Sequence, residues 1–123
     1  MERVFSMPRR AKYHNTLVRI GNYTFQSAAE AQRYTELCLL LKADLISDLV
    51  VHPRYILQEA FNRVENGKMI RERAISYVAD FAYIENGVKV VEDVKGFETQ
   101  AFRLKATIFR RIYPQFDFRI IPA

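Results

Sequence analysis

Residues 74–96 read AISYVADFAYIENGVKVVEDVKG, and the fold turns on how this stretch pairs with itself. Asn86-Gly87 is a two-residue turn of type I′ composition between β-rich runs, the strongest short-range hairpin signal. It predicts a strand over Ala74–Ile84 and a return strand over Val88–Lys95, ended by Gly96. The turn sets the register: Glu85 faces Val88, Ile84 faces Lys89, Ala82 faces Val91, and Asp80 faces Asp93. Glu85–Val88 is a hydrogen-bonded pair, so alternation makes Asp80–Asp93 a non-hydrogen-bonded pair, the kind with closer side chains. Two carboxylates placed directly opposite destabilise a sheet. Sharing a proton or binding a cation offsets that repulsion.

Lys95 favours the cation. It lies two residues beyond Asp93, so both side chains leave the same face of the strand. Hard divalent ions such as Mg²⁺ take carboxylate and carbonyl oxygens and keep several waters. A lysine beside two acids and such an ion can neutralise charge developing on a phosphate or position an attacking water. The plainer reading, an Asp93–Lys95 surface ion pair, carries little energy. Glu92 faces the other side, toward Phe81 and Val90, and reads as structural or supporting; Glu85, at the turn, reads as solvated.

Working outward, Leu17–Ile20, Gly21-Asn22 and Tyr23–Phe25 predict a short N-terminal β-hairpin. Ser27-Ala28-Ala29-Glu30 matches a capping box and opens a helix that ends near Lys42–Asp44. Tyr34, Leu37 and Leu41 follow Glu30 at helical spacing and predict a core-facing stripe. Glu30 is therefore open to two readings, a helix cap or a ligand brought over the sheet. Leu45–Leu57 reads as strand, broken or moved to an edge at His52-Pro53 because proline has no N–H to donate. Asn62–Lys68, with Asn66-Gly67, reads as a loop or turn. Thr99 caps a second helix running to about Ile112, with Phe102, Phe109 and Tyr113 along one side and Leu104, Ile108 and Ile112 widening it. Pro114 stops it, and Phe116–Ile121 is a last strand. The order predicts an α/β (α+β) fold, a mixed sheet flanked by helices. Residues 1–13 read as a flexible basic arm and 14–123 as a single domain.

A net charge of +5 suits a polyanionic partner. Arg9, Arg10 and Lys12 on the arm and Arg103, Arg110 and Arg111 on the second helix are the candidate phosphate contacts. Lys105 either reaches the site or snorkels. One cysteine, Cys38, allows no internal disulfide and reads as a small buried hydrophobe. No apolar run is long enough to span a bilayer and no signal peptide is evident, so a soluble intracellular protein is expected. His14 and His52 receive no role.

Asp80, followed thirteen residues later by Asp93-Val94-Lys95, resembles the D…(D/E)xK signature of the PD-(D/E)xK nuclease superfamily. Together with Tyr77–Phe81, Val91–Gly96, Lys12–Asn15 and Phe25–Ala31, it resembles a family of small phage and prophage proteins usually described as endonucleases. The likeness covers nearly the whole chain. Small single-domain members of the superfamily include Holliday-junction resolvases, which act as homodimers. The resemblance implies a restriction-endonuclease-like αβββαβ core. It implies that Asp80 and Asp93 bind Mg²⁺ or Mn²⁺, with the Val94 carbonyl as a further ligand, that Lys95 assists the nucleophile, and that Glu30 takes the place of a first-helix glutamate ligand. It also implies a cytoplasmic phage or prophage enzyme acting on branched or duplex DNA. Ala79 stands where the signature has proline, and Asp93 is the shorter acid. The alternatives are a non-catalytic DNA-binding module of the same fold, and a restriction-like, single-strand or RNA nuclease.

Overall fold

The computed structural model describes residues 16–123. The basic arm, with Arg9, Arg10 and Lys12, lies outside the described residues. Two short strands, β1 (Val18–Ile20) and β2 (Tyr23–Phe25), form the expected hairpin about Gly21-Asn22. Helix α1 follows (Ala28–Lys42), capped as predicted: Ser27 Oγ accepts the Glu30 N–H at 3.2 Å. The reciprocal half of the box is displaced by one residue, since Glu30 Oε1 accepts from the Gln26 N–H at 3.4 Å instead of from Ser27.

The centre of the molecule is a four-stranded mixed sheet in the order β10-β9-β8-β3. Strand β3 (Ser47–Val51) runs antiparallel to β8 (Phe81–Glu85), and β8 is antiparallel to β9 (Val88–Lys95) through the Asn86-Gly87 turn. Both turn residues have positive φ, 52° and 78°, as a type I′ turn requires. Strand β10 (Asp117–Pro122) pairs with β9 in parallel. A parallel return needs a crossover, and α2 (Gln100–Ile112) supplies it, with Thr99 Oγ1 accepting the Phe102 N–H at 3.1 Å. The fold is thus mixed α+β, with one helix on each face of the sheet. Phe25, Leu37, Phe81, Val90 and Val94 form the core on the α1 side. Leu57, Tyr77, Val91, Phe102, Ala106 and Phe109 form the core on the α2 side. No helix among the described residues is long and apolar enough to cross a membrane.

Three expectations are corrected. The strand expected over Ala74–Ile84 is two strands, β7 (Ile75–Val78) and β8, separated at Ala79-Asp80. The break answers the one at His52-Pro53, because β4 (Arg54–Gln58) pairs with β7 just as β3 pairs with β8. One long ribbon therefore kinks across both strands at once, held by the Ala79 N–H to the Pro53 carbonyl (3.0 Å) and the His52 N–H to the Asp80 carbonyl (2.9 Å). Beyond the kink, Leu57 and Tyr77 pack against α2. Second, the loop expected over Asn62–Lys68 is the end of a hairpin, β5 (Phe61–Glu65) with β6 (Lys68–Glu72), about a second Asn-Gly turn. Third, Leu41, Leu104 and Ile112 are exposed. Leu40 and Ala106 pack inward near them, and Cys38 is only half-buried.

Candidate metal centre

The kink delivers Asp80 to the end of β8, and the ladder's register stops one residue before it, at Phe81–Glu92. Asp80 is therefore not a ladder partner of Asp93 as the turn count predicted. Its N–H still bonds the Glu92 carbonyl at 3.1 Å, and one carboxylate oxygen accepts the Val94 N–H at 2.6 Å. In an extended strand the N–H and C=O of one residue point to the same side. The Val94 carbonyl accordingly shares the Asp80 side of β9, while the Lys95 carbonyl turns to the other side and accepts from Ala123 (3.2 Å).

Three potential ligand atoms converge at this point. A Glu30 carboxylate oxygen, a His52 ring nitrogen and an Asp80 carboxylate oxygen all lie within 4.8 Å of one another. Each comes from a different element: the first turn of α1, the end of β3 and the kink before β8. Ligand atoms about 2.1 Å from a single Mg²⁺ stand about 3.0 Å apart when adjacent and about 4.2 Å apart when opposite, so side-chain shifts of about 1 Å or less close the set on one ion. The donor chemistry fits, since two carboxylates suit a hard cation and an imidazole suits a transition metal.

Asp93 and Lys95 stand beside this cluster on the α2 face of the sheet. Asp93 is buried; Lys95 Nζ lies 3.3 Å from its Oδ1, and its Oδ2 accepts from the Tyr77 hydroxyl. Lys95 Nζ also sits 4.6 Å above the centre of the Phe102 ring. Asp93 is thus not among the three converging atoms, but its charge reaches them. Burial, then the Asp93 charge, push Asp80 up from 3.8 to about 7; the Val94 N–H and Lys95 pull the other way. Burial also raises Glu30, opposed by the Gln26 N–H and His52. Tyr77 is pushed far above its ordinary value by burial and by Asp93, so it stays a donor to that carboxylate.

On the opposite face Glu92 is fully buried, as its alternation required. It accepts two bonds from the Arg33 guanidinium, at 2.8 and 2.6 Å, and one from the Tyr83 hydroxyl. Arg33 lies one turn after Glu30, so this fork fixes the rotation of α1 over the sheet. Glu85, expected to be solvated, pairs with Arg119 at 2.9 Å. Lys105 does not reach the cluster; its ammonium bonds the Ser76 carbonyl at 2.9 Å. Arg103, Arg110 and Arg111 are all exposed on α2. Arg110 lies 5.0 Å from the Phe118 ring.

Residues 10–122 match the model of the family described as "Protein of unknown function (DUF1064)". The chain belongs to that family. No curated protein and no solved structure matches it. The match takes in every residue of this DUF1064 site, from Glu30 to Lys95. Of these, His52 is the one that sequence reasoning passed over. The only local signal was the proline after it, which marked a break in the strand; the structure adds a positive φ at His52 (55°), which nothing in the sequence announced.

Proposed function

We propose that this protein is a divalent-metal-dependent DNA endonuclease of the PD-(D/E)xK type. The observation that carries the reading is the convergence of Glu30, His52 and Asp80 beside the Asp93–Lys95 pair. The order of elements supports it: with the β1–β2 hairpin and the β4–β7 excursion set aside, α1, β3, β8, β9, α2 and β10 run in the sequence αβββαβ. A Mg²⁺ or Mn²⁺ ion held by Asp80, Glu30, His52 and the Val94 carbonyl would polarise the scissile phosphate and lower the pKa of the attacking water. The protein's own groups do the rest. Lys95 presents its ammonium at the edge of the site, where it orients that water or meets charge developing on the phosphate. The Tyr77 hydroxyl holds one Asp93 oxygen, which leaves the other toward Lys95. The exposed Arg103, Arg110 and Arg111, with the arm, supply cations for flanking phosphates. Symmetric cutting of a four-way junction in a phage or host cytoplasm would need two such sites, hence a homodimer.

The test is a four-way junction, a flap, a linear duplex and a single strand offered side by side in Mg²⁺ and in Mn²⁺. Cleavage of at least one should fall by about 100-fold or more in Asp80→Ala and in Lys95→Ala. An Asp80→Ala protein that cuts every substrate at the wild-type rate ends the proposal. A second reading, a DNA-binding module without catalysis, draws on both Asp93 oxygens already having protein partners. Calorimetry with Mn²⁺ separates the two, because a binding module needs no ion.

A further inference from the structure

The β5–β6 hairpin contributes no residue to either core cluster, and its strands pair only with each other. Its two faces differ. Glu65 and Lys68 flank the Asn66-Gly67 turn, so alternation sets Phe61, Arg63, Glu65, Lys68, Ile70 and Glu72 on one face. That face is closed on itself: Arg63 bonds Glu65 at 2.6 Å and Glu72 at 2.7 Å. The other face carries two direct cross-strand pairs, Val64–Met69 and Asn62–Arg71. Both are non-hydrogen-bonded pairs, whose side chains stand closer. Arg71 accordingly donates to the Asn62 amide oxygen at 3.2 Å. All four of these residues are exposed, Val64 and Met69 at 68% each. Among the described residues no carboxylate pairs with Lys68, Arg71 or Arg73.

We infer that this ribbon lies in the major groove of duplex DNA, with the Asn62, Val64, Met69 and Arg71 face toward the base edges. The major groove, about 12 Å wide, admits a two-stranded ribbon, whereas the minor groove, about 6 Å wide, is too narrow unless forced open. The groove floor offers what this face can read: guanine O6 and N7 for an arginine fork, adenine N6 and N7 for an asparagine amide, and thymine methyls for Val64 and Met69. Charge agrees. From Phe61 to Arg73 there are four cations and two acids, and Arg63 alone engages both acids. Lys68 and Arg73 remain for the phosphates that wall the groove. Reach agrees too. Asp80 lies nine residues beyond Arg71, at most about 30 Å, within one turn of duplex, roughly 34 Å. The inference rests on the nuclease reading and names the groove by which that enzyme grips a duplex arm.

Fluorescence anisotropy on the full chain in EDTA tests this with a labelled blunt DNA duplex, the same duplex carrying 7-deazapurines throughout, and an RNA duplex of the same sequence. Replacing N7 by C–H deletes acceptors from the major groove alone. The modified duplex should bind about 5-fold or more weakly, the low end of one bidentate base contact. The RNA duplex should also bind more weakly than natural DNA, because side chains cannot enter its deep, narrow major groove. The double variant Asn62→Ala/Arg71→Ala should weaken binding to the natural duplex by a similar factor and erase the difference between the two DNA duplexes. Met69→Glu, which sets a carboxylate against the groove, should weaken it by about 10-fold or more. Phe61→Ala, on the opposite face, should bind as wild type does. All these side chains are exposed, so matching melting curves certify the fold. Equal binding of wild type to both DNA duplexes, tighter binding to RNA, wild-type binding by the double variant, or a loss in Phe61→Ala as large as in Met69→Glu overturns the inference. Duplex binding that needs Asn62 and Arg71, with no cleavage of any substrate, leaves the ribbon standing and ends hydrolysis instead. Cleavage that depends on Asp80, with the double variant binding like wild type, does the reverse.

Discussion

At the scale of the residue, Asp80 is the strained member of the site, a carboxyl group in a half-buried place already next to Asp93 and Glu30. Its pKa rises from 3.8 to about 7, mainly through burial. Folding then takes up a proton, so this group's contribution to stability is complete below about 3.8 and is lost as pH rises through about 7. Asp80→Asn keeps an oxygen for the Val94 N–H and removes the titration. In EDTA its melting temperature should match wild type near pH 4 and exceed it by a few degrees at pH 8, while calorimetry shows no Mn²⁺ binding. A gap between the two melts that stays constant with pH would show that Asp80 does not titrate there. Glu92 is the opposite case, a buried charge with every partner supplied. Arg33→Ala strands it and should cost about 3–5 kcal/mol in urea denaturation. Glu92→Gln, which keeps a polar group without the charge, should cost less than Arg33→Ala. Equal losses would mean that the charge itself contributes nothing.

At the scale of the element, the two Asn-Gly turns have the same geometry and opposite importance. Gly87 (φ 78°) closes the hairpin that holds Asp93 and Lys95, whereas Gly67 (φ 75°) closes the ribbon outside both cores. Neither would meet a neighbour on gaining a Cβ, so only the positive φ matters. Gly87→Ala should lower global stability by about 1–2 kcal/mol, and Gly67→Ala should leave the thermal midpoint where it is. A shift of equal size in both would mean that the β5–β6 ribbon unfolds together with the core. The comparison also explains what could be read in advance. The hairpin at Asn86-Gly87, both N-caps (Ser27 and Thr99) and the crossover helix before β10 each have local causes within a few residues. The β5–β6 hairpin carries the same dipeptide but passes as a loop, because Asn62, Arg63, Glu65, Lys68, Arg71 and Glu72 give its strands no apolar face to recognise. The exposure of Leu104 and Ile112 was hidden for a related reason: periodicity marks a face, and only the neighbouring strands decide its width. Asp80 and Asp93 were found from a turn count, yet the kink that lifts Asp80 out of the ladder depends on Pro53, some 27 positions earlier in the chain.

At the scale of the whole molecule, the three converging side chains come from three parts of the fold: α1, the edge strand β3 and the kink before β8. An ion bound by all three is a cross-link present only in the native state, so it must stabilise the chain by mass action. At a free concentration one hundred times its dissociation constant the gain is about 2.7 kcal/mol, which for a chain of this length raises the melting temperature by roughly 10 °C. The identity of the ligands sets the order of ions. An imidazole adds little for Mg²⁺ but suits a transition metal, so Mn²⁺ should protect the fold at lower concentration than Mg²⁺. His52→Ala should remove most of that difference and leave the weaker Mg²⁺ effect in place. Glu30→Gln should reduce protection by both ions while keeping the bond from the Gln26 N–H. Protons compete for the same oxygens, so protection should strengthen from pH 5.5 to 8, as Asp80 gives up its proton. Thermal melts across an Mn²⁺ and an Mg²⁺ titration at both pH values read all of these at once. If His52→Ala responded to the two ions just as wild type does, the imidazole would be a bystander, and the ion would have to be held by carboxylates on fewer elements. The melting shift would then stay, but the ion would no longer bind β3 to the rest of the site.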